Sequence, residues 1–242
     1  MTGLRAGCHL PKEFWGGLCP DMAPSILGLI DYGSGNLHSV QHALSRAARD
    51  LEADIQIRLI TRADELVSAD YIVLPGVGHF ADCKSGLFGC EGMVDALEEM
   101  VLRKGRPFLG ICVGMQLLAE AGYEGGTPTS GLGWMKGAVE KIPAVSSSDI
   151  SLKIPHMGWN RISLSSPHHP VLKQVDADSY FYFVHSYYVA KMETEQVLAT
   201  TSYGVDIPAI IGQDNMIATQ FHPEKSQKAG QEFLRGFLSW SV

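Results

Sequence analysis

The segment PFLGICVGMQ, residues 107–116, decides the fold class of this 242-residue chain. Its first half, from Pro107 to Cys112, is an apolar run with the length of a buried β-strand, and a helical pattern begins at Met115. Gly110 and Gly114 flank Cys112, and glycine permits the tight turn that leads from a strand into a helix. The segment therefore predicts a strand, a turn with Cys112 at its apex, and a helix.

The same strand-to-helix pattern occurs twice upstream. An apolar run over 25–31 is closed by a glycine turn over 32–36 and followed by residues at helical spacing from Leu37 to Ala47. Strands over 55–60 and 71–75 come next, then a glycine-rich loop and a helix over about 93–104. Such alternation implies parallel strands joined by right-handed crossovers. We predict an α/β fold with an open, mainly parallel (mixed) twisted sheet and helices on both faces.

From about Lys136 the chain changes to short β-rich runs, which predict an antiparallel extension of the sheet. The predicted strands cover 138–142, 161–164, 179–188, 197–203 and 207–221, the last broken near Asn215. A closing helix over 228–240 should turn Phe233, Phe237 and Leu238 inward. We interpret residues 25–242 as one domain and residues 1–24 as an irregular extension.

Composition excludes several classes of protein. A net charge of −7 and a pI near 5.7 argue against coating nucleic acid or an anionic membrane, which require concentrated basic surface. No apolar stretch approaches the roughly 18 residues of a membrane-spanning helix, and residues 1–24 lack the apolar core of a secretory signal. Five irregularly spaced cysteines favour a reducing compartment. We expect a soluble, cytoplasmic protein.

Cys112 is the candidate nucleophile. The G-x-C-x-G turn lifts its sulfur above the sheet edge and places it at a helix N-terminus, where the amides and the helix dipole favour thiolate. The N–H of Val113 is well placed to donate to an oxyanion. Taken alone, the motif also fits a small buried core cysteine.

The segment Gln220-Phe-His222-Pro-Glu224 supplies a candidate base. Proline disfavours the helical region for the preceding residue, so His222 is extended, and residues two apart in an extended segment point to one side. Glu224 can then orient one ring nitrogen while the other serves the thiol, as in a catalytic triad. A surface turn with an unrelated histidine is the alternative for this motif by itself.

A third motif, Leu74-Pro-Gly-Val-Gly-His-Phe80, follows a buried strand. Gly76 and Gly78 permit backbone conformations closed to other residues, so the Val77 amide could turn toward an oxyanion. A plain β-turn would fit the segment equally well. Its position favours the functional interpretation, because adjacent strand ends would bring the loop beside Cys112.

Cofactor and metal motifs are weak. Gly33-Ser-Gly35 lacks the third glycine of a dinucleotide fingerprint and a convincing acidic residue after the second strand, so no nicotinamide cofactor is expected. His168 and His169 have no ligand at metal-binding spacing and are interpreted as exposed loop residues. We predict no cofactor and no metal.

The motifs together resemble the class I, or triad, glutamine amidotransferases. Within that family the chain is most similar to the glutaminase subunits of imidazole glycerol phosphate synthases. The resemblance runs from about Ile26 to the C-terminus. It rests on six ordered segments: Asp31-Tyr-Gly-Ser-Gly-Asn-Leu37, Pro75-Gly-Val-Gly78, Gly110-Ile-Cys-Val-Gly-Met-Gln116, Pro155-His-Met-Gly-Trp-Asn160, Phe183-Val-His-Ser-Tyr187 and Phe221-His-Pro-Glu-Lys-Ser226.

The resemblance implies hydrolysis of L-glutamine to glutamate and ammonia through a thioester on Cys112, with His222 as base and Glu224 as its orienting group. It implies that Val77 and Val113 form the oxyanion hole. The implied glutamine contacts are Gly78, Gln116, Ser186 and Tyr187.

The resemblance also implies a partner, a separate synthase (cyclase) subunit that receives the ammonia in histidine biosynthesis. A synthase barrel needs about 250 residues, more than this chain can hold beside the glutaminase domain. The expected assembly is a heterodimer, with Asn36 and the segment Pro155 to Asn160 as candidates for the docking face. Within that segment Met157 and Trp159 are the chosen contact residues, with core packing as their alternative. Glutaminase activity should be weak until the partner binds.

Three alternatives remain at this stage. The chain could serve another amidotransferase, such as those of pyridoxal phosphate or anthranilate synthesis, although Pro155-to-Asn160 and Glu224-Lys-Ser226 favour the histidine pathway. It could be a stand-alone cysteine hydrolase of γ-glutamyl bonds. It could also be a non-catalytic regulatory module, which the intact Cys112, His222 and Glu224 disfavour.

Overall fold

The computed structural model describes residues 23–146, 149–166, 168–176 and 178–241. Nearly all of the predicted extension over residues 1–24 therefore lies outside the described residues. The strands are β1 (Ser25–Ile30), β2 (Ile55–Ile60), β3 (Tyr71–Gly76), β4 (Phe108–Cys112), β5 (Ala121–Gly122), β6 (Thr129–Ser130), β7 (Ala138–Lys141), β8 (His156–Arg161), β9 (Ser163–Leu164), β10 (Tyr180–His185), β11 (Tyr187–Ala190), β12 (Val197–Ser202), β13 (Asp206–Gln213) and β14 (Met216–Thr219). The α-helices are α1 (Leu37–Asp50), α2 (Ala63–Leu66), α3 (Phe80–Gly89), α4 (Met93–Leu97), α5 (Val113–Gln116) and α6 (Gln227–Leu238).

A mixed sheet forms the centre of the part of the chain that the structure describes. Its order is β2-β1-β3-β4-β14-β13-β12-β9. The first five strands pair in parallel, and β13, β12 and β9 extend the sheet antiparallel. Two smaller sheets, β10-β8 and β11-β7-β5-β6, lie beside it. The predicted fold class is confirmed, and the antiparallel extension after about residue 136 is where the sequence placed it.

Burial of the central strands explains why they read as continuous apolar runs. Every residue of β4, from Phe108 to Cys112, is buried, as are five of the six residues of β3. A strand with both faces covered has no polar face to alternate with. The closing helix α6 has one buried face, and Phe233, Phe237 and Leu238 are buried there as predicted.

The helices differ from the sequence prediction in several places, and the short helix α2 was not predicted. Helix α3 occupies residues that were interpreted as a loop; the His79 side chain begins it by accepting a hydrogen bond from the Ala81 N–H, and histidine is not among the common N-cap residues. The helix expected over 93–104 is α4 followed by a π-helical segment, Glu98–Arg103. Helix α5 begins at Val113, two residues earlier than predicted. Among the described residues no helix is long and apolar enough to span a membrane.

The β-rich half also contains one strand that was missed. Of the run predicted over 161–164, Arg161 is the last residue of β8, and Ser163 and Leu164 form β9. The rest of β8 was missed: it lies in the segment 155–160, which the sequence assigned only to docking. The run over 179–188 divides at Ser186 into β10 and β11. The predicted break near Asn215 is confirmed, since β13 and β14 are joined there by a turn in which Asp214 has a φ of 53°.

Candidate active site

Cys112 is the last residue of β4 and has a φ of 55° and a ψ of −108°. A non-glycine residue in this region is strained and persists only where the surrounding structure enforces it. The enforcement comes from close packing: a Cβ on Gly114 would lie 1.9 Å from the Leu74 carbonyl oxygen, and one on Gly110 would lie 2.9 Å from that of Gly114. The glycines therefore hold the turn against β3, as the G-x-C-x-G motif predicted.

His222 reaches Cys112 because β14 pairs in parallel with β4. Thr219 lies opposite Ile111 in the register, so the chain leaving β14 runs beside the carboxyl end of β4. The backbone of His222 is fixed on both sides: its N–H donates to the Tyr182 carbonyl at 3.0 Å, and its carbonyl accepts from the Ser226 hydroxyl at 2.6 Å. Two adjacent strand ends thus bring together residues that are far apart in sequence.

Glu224 orients His222. The distance between His222 Nδ1 and Glu224 Oε1 is 2.8 Å. The local reason differs from the sequence argument, which relied on an extended segment: His222 is extended, but Pro223–Lys225 form a 3-10 turn that brings the carboxylate back toward the ring. Proline is suited to the first position of that turn, since it has no N–H to satisfy there.

The pKa of His222 is raised to about 10. Burial is the largest single influence and lowers this pKa, because a charged ring is poorly solvated. The charge of Cys112, a hydrogen bond to its thiol group and the carboxylate of Glu224 together outweigh it. The site therefore favours a protonated His222 ring beside the Glu224 carboxylate and the Cys112 sulfur.

A cavity of about 460 Å³ opens in front of the thiol. It has the size of a small-molecule site. All of the residues proposed for the oxyanion hole and for glutamine contacts line it, together with two members of the proposed triad: Val77, Gly78, Cys112, Val113, Gln116, Ser186, Tyr187 and His222. Asn36 lines the same cavity. The sequence assigned no role to four further lining residues, Glu124, Val184, His185 and Lys225, although the last three fall within the segments that carried the resemblance. Pro155, the first residue of the predicted docking segment, also lines the cavity.

The backbone on both sides of Val77 is held by side chains to which the sequence motifs assigned no role. The Val77 N–H donates to the Ser34 hydroxyl at 3.2 Å, and its carbonyl accepts from that hydroxyl at 2.8 Å. The Cys83 thiol also donates to the Val77 carbonyl, at 3.2 Å. In this conformation the Val77 amide is therefore occupied by Ser34, so its role in an oxyanion hole remains a prediction that requires the peptide to turn.

The proposed docking residues lie at the surface. Met157 and Trp159 are 65% and 46% exposed, which is unusual for large apolar side chains. Both point to the outer face of β8, where Trp159 meets Tyr182 of β10 edge-on with ring centroids 5.9 Å apart. Core packing, the alternative that the sequence left open, does not apply to these two residues.

His169, expected to be exposed, is half-buried against Trp240 because the 3-10 turn Pro170–Leu172 draws it inward.

The family model of glutamine amidotransferase class-I matches residues 29–239. The chain belongs to the class-I glutamine amidotransferases. Among curated relatives, this amidotransferase is 49% identical over 215 residues to imidazole glycerol phosphate synthase subunit HisH of Rhodospirillum rubrum, covering 89% of this chain and 99% of the relative. It is 51% identical over 218 residues to HisH of Brucella melitensis, with 88% and 98% covered, and 48% identical over 221 residues to HisH of Zymomonas mobilis, with 91% and 99% covered.

Solved structures agree on the fold of the amidotransferase. A glutamine amidotransferase matches with a TM-score of 0.63 at 18% identity, covering 88% of this chain and 96% of the other. A glutamine amidotransferase from Thermotoga maritima matches with a TM-score of 0.58 at 14% identity, also with 88% and 96% covered. The half-identical relatives over nearly their whole length make this amidotransferase an enzyme of the HisH type, the glutaminase subunit of imidazole glycerol phosphate synthase.

Proposed function

We propose that this chain hydrolyses L-glutamine with Cys112, His222 and Glu224 as its catalytic triad and passes the ammonia to a separate synthase subunit for histidine biosynthesis. The observation that carries the proposal is the buried His222–Glu224 pair facing a strained Cys112 in one cavity. We assign residues 25–242 to a single catalytic domain. Three free thiols among the described cysteines fit a cytoplasmic enzyme.

The proposed chemistry has two halves. The Cys112 thiolate attacks the carboxamide carbon, and the resulting tetrahedral oxyanion collapses to a thioester as the carbon–nitrogen bond breaks. His222 gives its proton to the leaving amine, which departs as ammonia. Water then attacks the thioester with His222 as base, releasing glutamate and returning the sulfur as thiolate. Val113 and a turned Val77 peptide are the proposed oxyanion donors.

The cavity wall suggests how glutamine is held. The side-chain nitrogen of Gln116 donates hydrogen bonds within the protein, to the Tyr187 carbonyl at 3.0 Å and to Gln220 Oε1 at 3.1 Å. Only its oxygen is left for the substrate, so we propose that Gln116 accepts from the α-ammonium group. Gly78, Ser186 and Tyr187 line the same cavity and complete the proposed glutamine contacts.

The proposed heterodimer interface adjoins this cavity. Met157 pairs across the strands with Val184, which itself lines the cavity wall, and Pro155 and Asn36 lie on its rim. Ammonia released at Cys112 would thus emerge beside the exposed apolar face of β8. Trp159→Ala should weaken binding of the synthase partner by about 10- to 100-fold, as expected for an exposed aromatic anchor. Phe88→Ala, an aromatic residue of similar exposure on α3, is the matched control.

The test of the function is ammonia release from glutamine by the wild type and by Cys112→Ser, each with and without the synthase partner and its nucleotide ligand. We expect activity that rises when the partner is added and that Cys112→Ser abolishes. Full activity in Cys112→Ser would exclude the triad. Equal turnover by the wild type with and without the partner would instead favour a stand-alone hydrolase.

A further inference from the structure

Gln220 is a buried polar side chain next to the reacting sulfur that the triad does not use. It follows β14 and precedes the base by two residues, and its side chain has no solvent exposure. Its Nε2 lies 3.7 Å from Cys112 Sγ, a suitable N–H···S distance because sulfur is larger than oxygen. A primary amide in such a place can present either an N–H donor or a carbonyl acceptor to the sulfur.

The neighbours of Gln220 determine which end faces the sulfur. The carbonyl of Tyr187 can only accept, so it requires the nitrogen of Gln116, which lies 3.0 Å away. That nitrogen also donates to Gln220 Oε1 at 3.1 Å, which leaves Gln220 Nε2 directed at Cys112. Turning the Gln220 amide over would set two N–H groups against each other and a carbonyl oxygen against the thiolate.

The Tyr187 carbonyl is itself fixed by a second donor. His185 Nδ1 lies 3.0 Å from it and must carry the proton, since a carbonyl cannot donate. His185 Nε2 is then an acceptor for His156 Nδ1, also at 3.0 Å. The buried rings of His156 and His185 thus fix the Tyr187 carbonyl. That carbonyl orients Gln116, which in turn orients Gln220 toward the sulfur.

We propose that Gln220 is a further catalytic residue, whose side-chain N–H stabilises the thiolate of Cys112 and whose amide orientation is fixed by Gln116 and the Tyr187 carbonyl. The proposal rests on the proposed role of Cys112 as nucleophile. Gln220 acts on the sulfur, whereas an oxyanion hole acts on the substrate oxygen. Its effect is greatest when the sulfur carries charge, in the resting enzyme and when the thioester collapses.

The test is the pH dependence of Cys112 alkylation by iodoacetamide, followed by mass spectrometry of the Cys112 peptide in the full chain. Iodoacetamide needs none of the glutamine contacts, so the profile reports the thiol alone. In Gln220→Met we expect the midpoint to rise by about one to two pH units, the size expected for loss of one hydrogen bond to a charged group. Glutaminase kcat should fall by about 10-fold or more.

Two further variants separate this role from simple packing. Gln220→Glu keeps the size of the side chain and the bond from Gln116 but lacks the N–H, so it should raise the midpoint at least as far. Gln196→Met replaces a glutamine that is similarly buried elsewhere, bonded to Gln213, and should leave the midpoint unchanged. An unchanged midpoint in either folded Gln220 variant overturns the proposal.

A measurement on the wild type needs no variant to fold. Alkylating Cys112 removes the charge on sulfur, so the side-chain amide protons of Gln220 should shift upfield in the ¹⁵N–¹H spectrum. Amide resonances that do not move would overturn the proposal as well. Failure of the proposed function is distinguishable, because it would appear as glutaminase activity that survives Cys112→Ser.

Discussion

His222 Nδ1 and Glu224 Oε1 lie 2.8 Å apart, and the two side chains are only 3% and 1% exposed. A carboxylate withdrawn from water to this extent is costly unless a partner compensates its charge. The imidazolium of His222 is that partner. Since Nδ1 is directed at the carboxylate, the opposite nitrogen is the one available to Cys112.

The ionisation of His222 should depend on Cys112. With the thiolate removed in Cys112→Ser, burial still lowers the pKa of His222 and only Glu224 remains to raise it. We expect the pKa to fall from about 10 in the wild type toward neutrality. Titration of the His222 ring signals by NMR measures this directly, and a pKa that does not change would show that the thiolate–imidazolium pair is absent.

Ser34 should restrain the two peptide units that flank Val77. In Ser34→Ala the Val77 N–H loses its acceptor at 3.2 Å and the carbonyl loses one of its donors. One hydrogen bond contributes about 1 kcal/mol, so the basal glutaminase rate should rise by about 5-fold as the peptide turns more readily toward the oxyanion. The measurement is ammonia release without the synthase partner. A rate equal to or below that of the wild type would mean that Ser34 does not limit the turn.

Gly114 should tolerate no side chain. In Gly114→Ala the new Cβ would lie 1.9 Å from the Leu74 carbonyl, so either α5 or β3 must move. We expect a loss of about 3 kcal/mol in the free energy of unfolding, measured by urea denaturation, and a slower Cys112 alkylation. Gly89→Ala is the control, since nothing lies within 4 Å of its Cβ and its backbone suits alanine. Equal stability of the two variants would contradict the packing argument.

Acid should destabilise the protein partly through His156. The ring of His156 stacks between Phe183 and Tyr203. Burial at this position lowers the pKa of His156 to about 4. A histidine with a lowered pKa contributes stability that is present above pH 6.5 and lost as pH falls through 4. His156→Gln, which cannot titrate, should show a smaller fall in unfolding free energy between pH 6.5 and 4. His168→Gln, at an exposed site, should retain the full fall.

Much of the site could be predicted because its chemistry is written in short local motifs. G-x-C-x-G requires glycines on both sides of Cys112, and the structure shows why, since a Cβ at either position collides with backbone. The base and its orienting carboxylate are two residues apart, so one turn decides their contact. Helix α3 was missed because a histidine side chain caps it, which no common pattern indicates.

The sequence alone determined the parallel half of the sheet, because buried strands alternating with amphipathic helices admit few topologies. It also determined which residue types stand ready for nucleophilic attack. Tertiary structure decided what surrounds them. Three features depend on contacts between segments that are tens of residues or more apart. Ser34 holds Val77, Gln116 orients Gln220 toward the sulfur, and Met157 lies at the surface. Such contacts follow from strand register and burial, which local spacing does not encode.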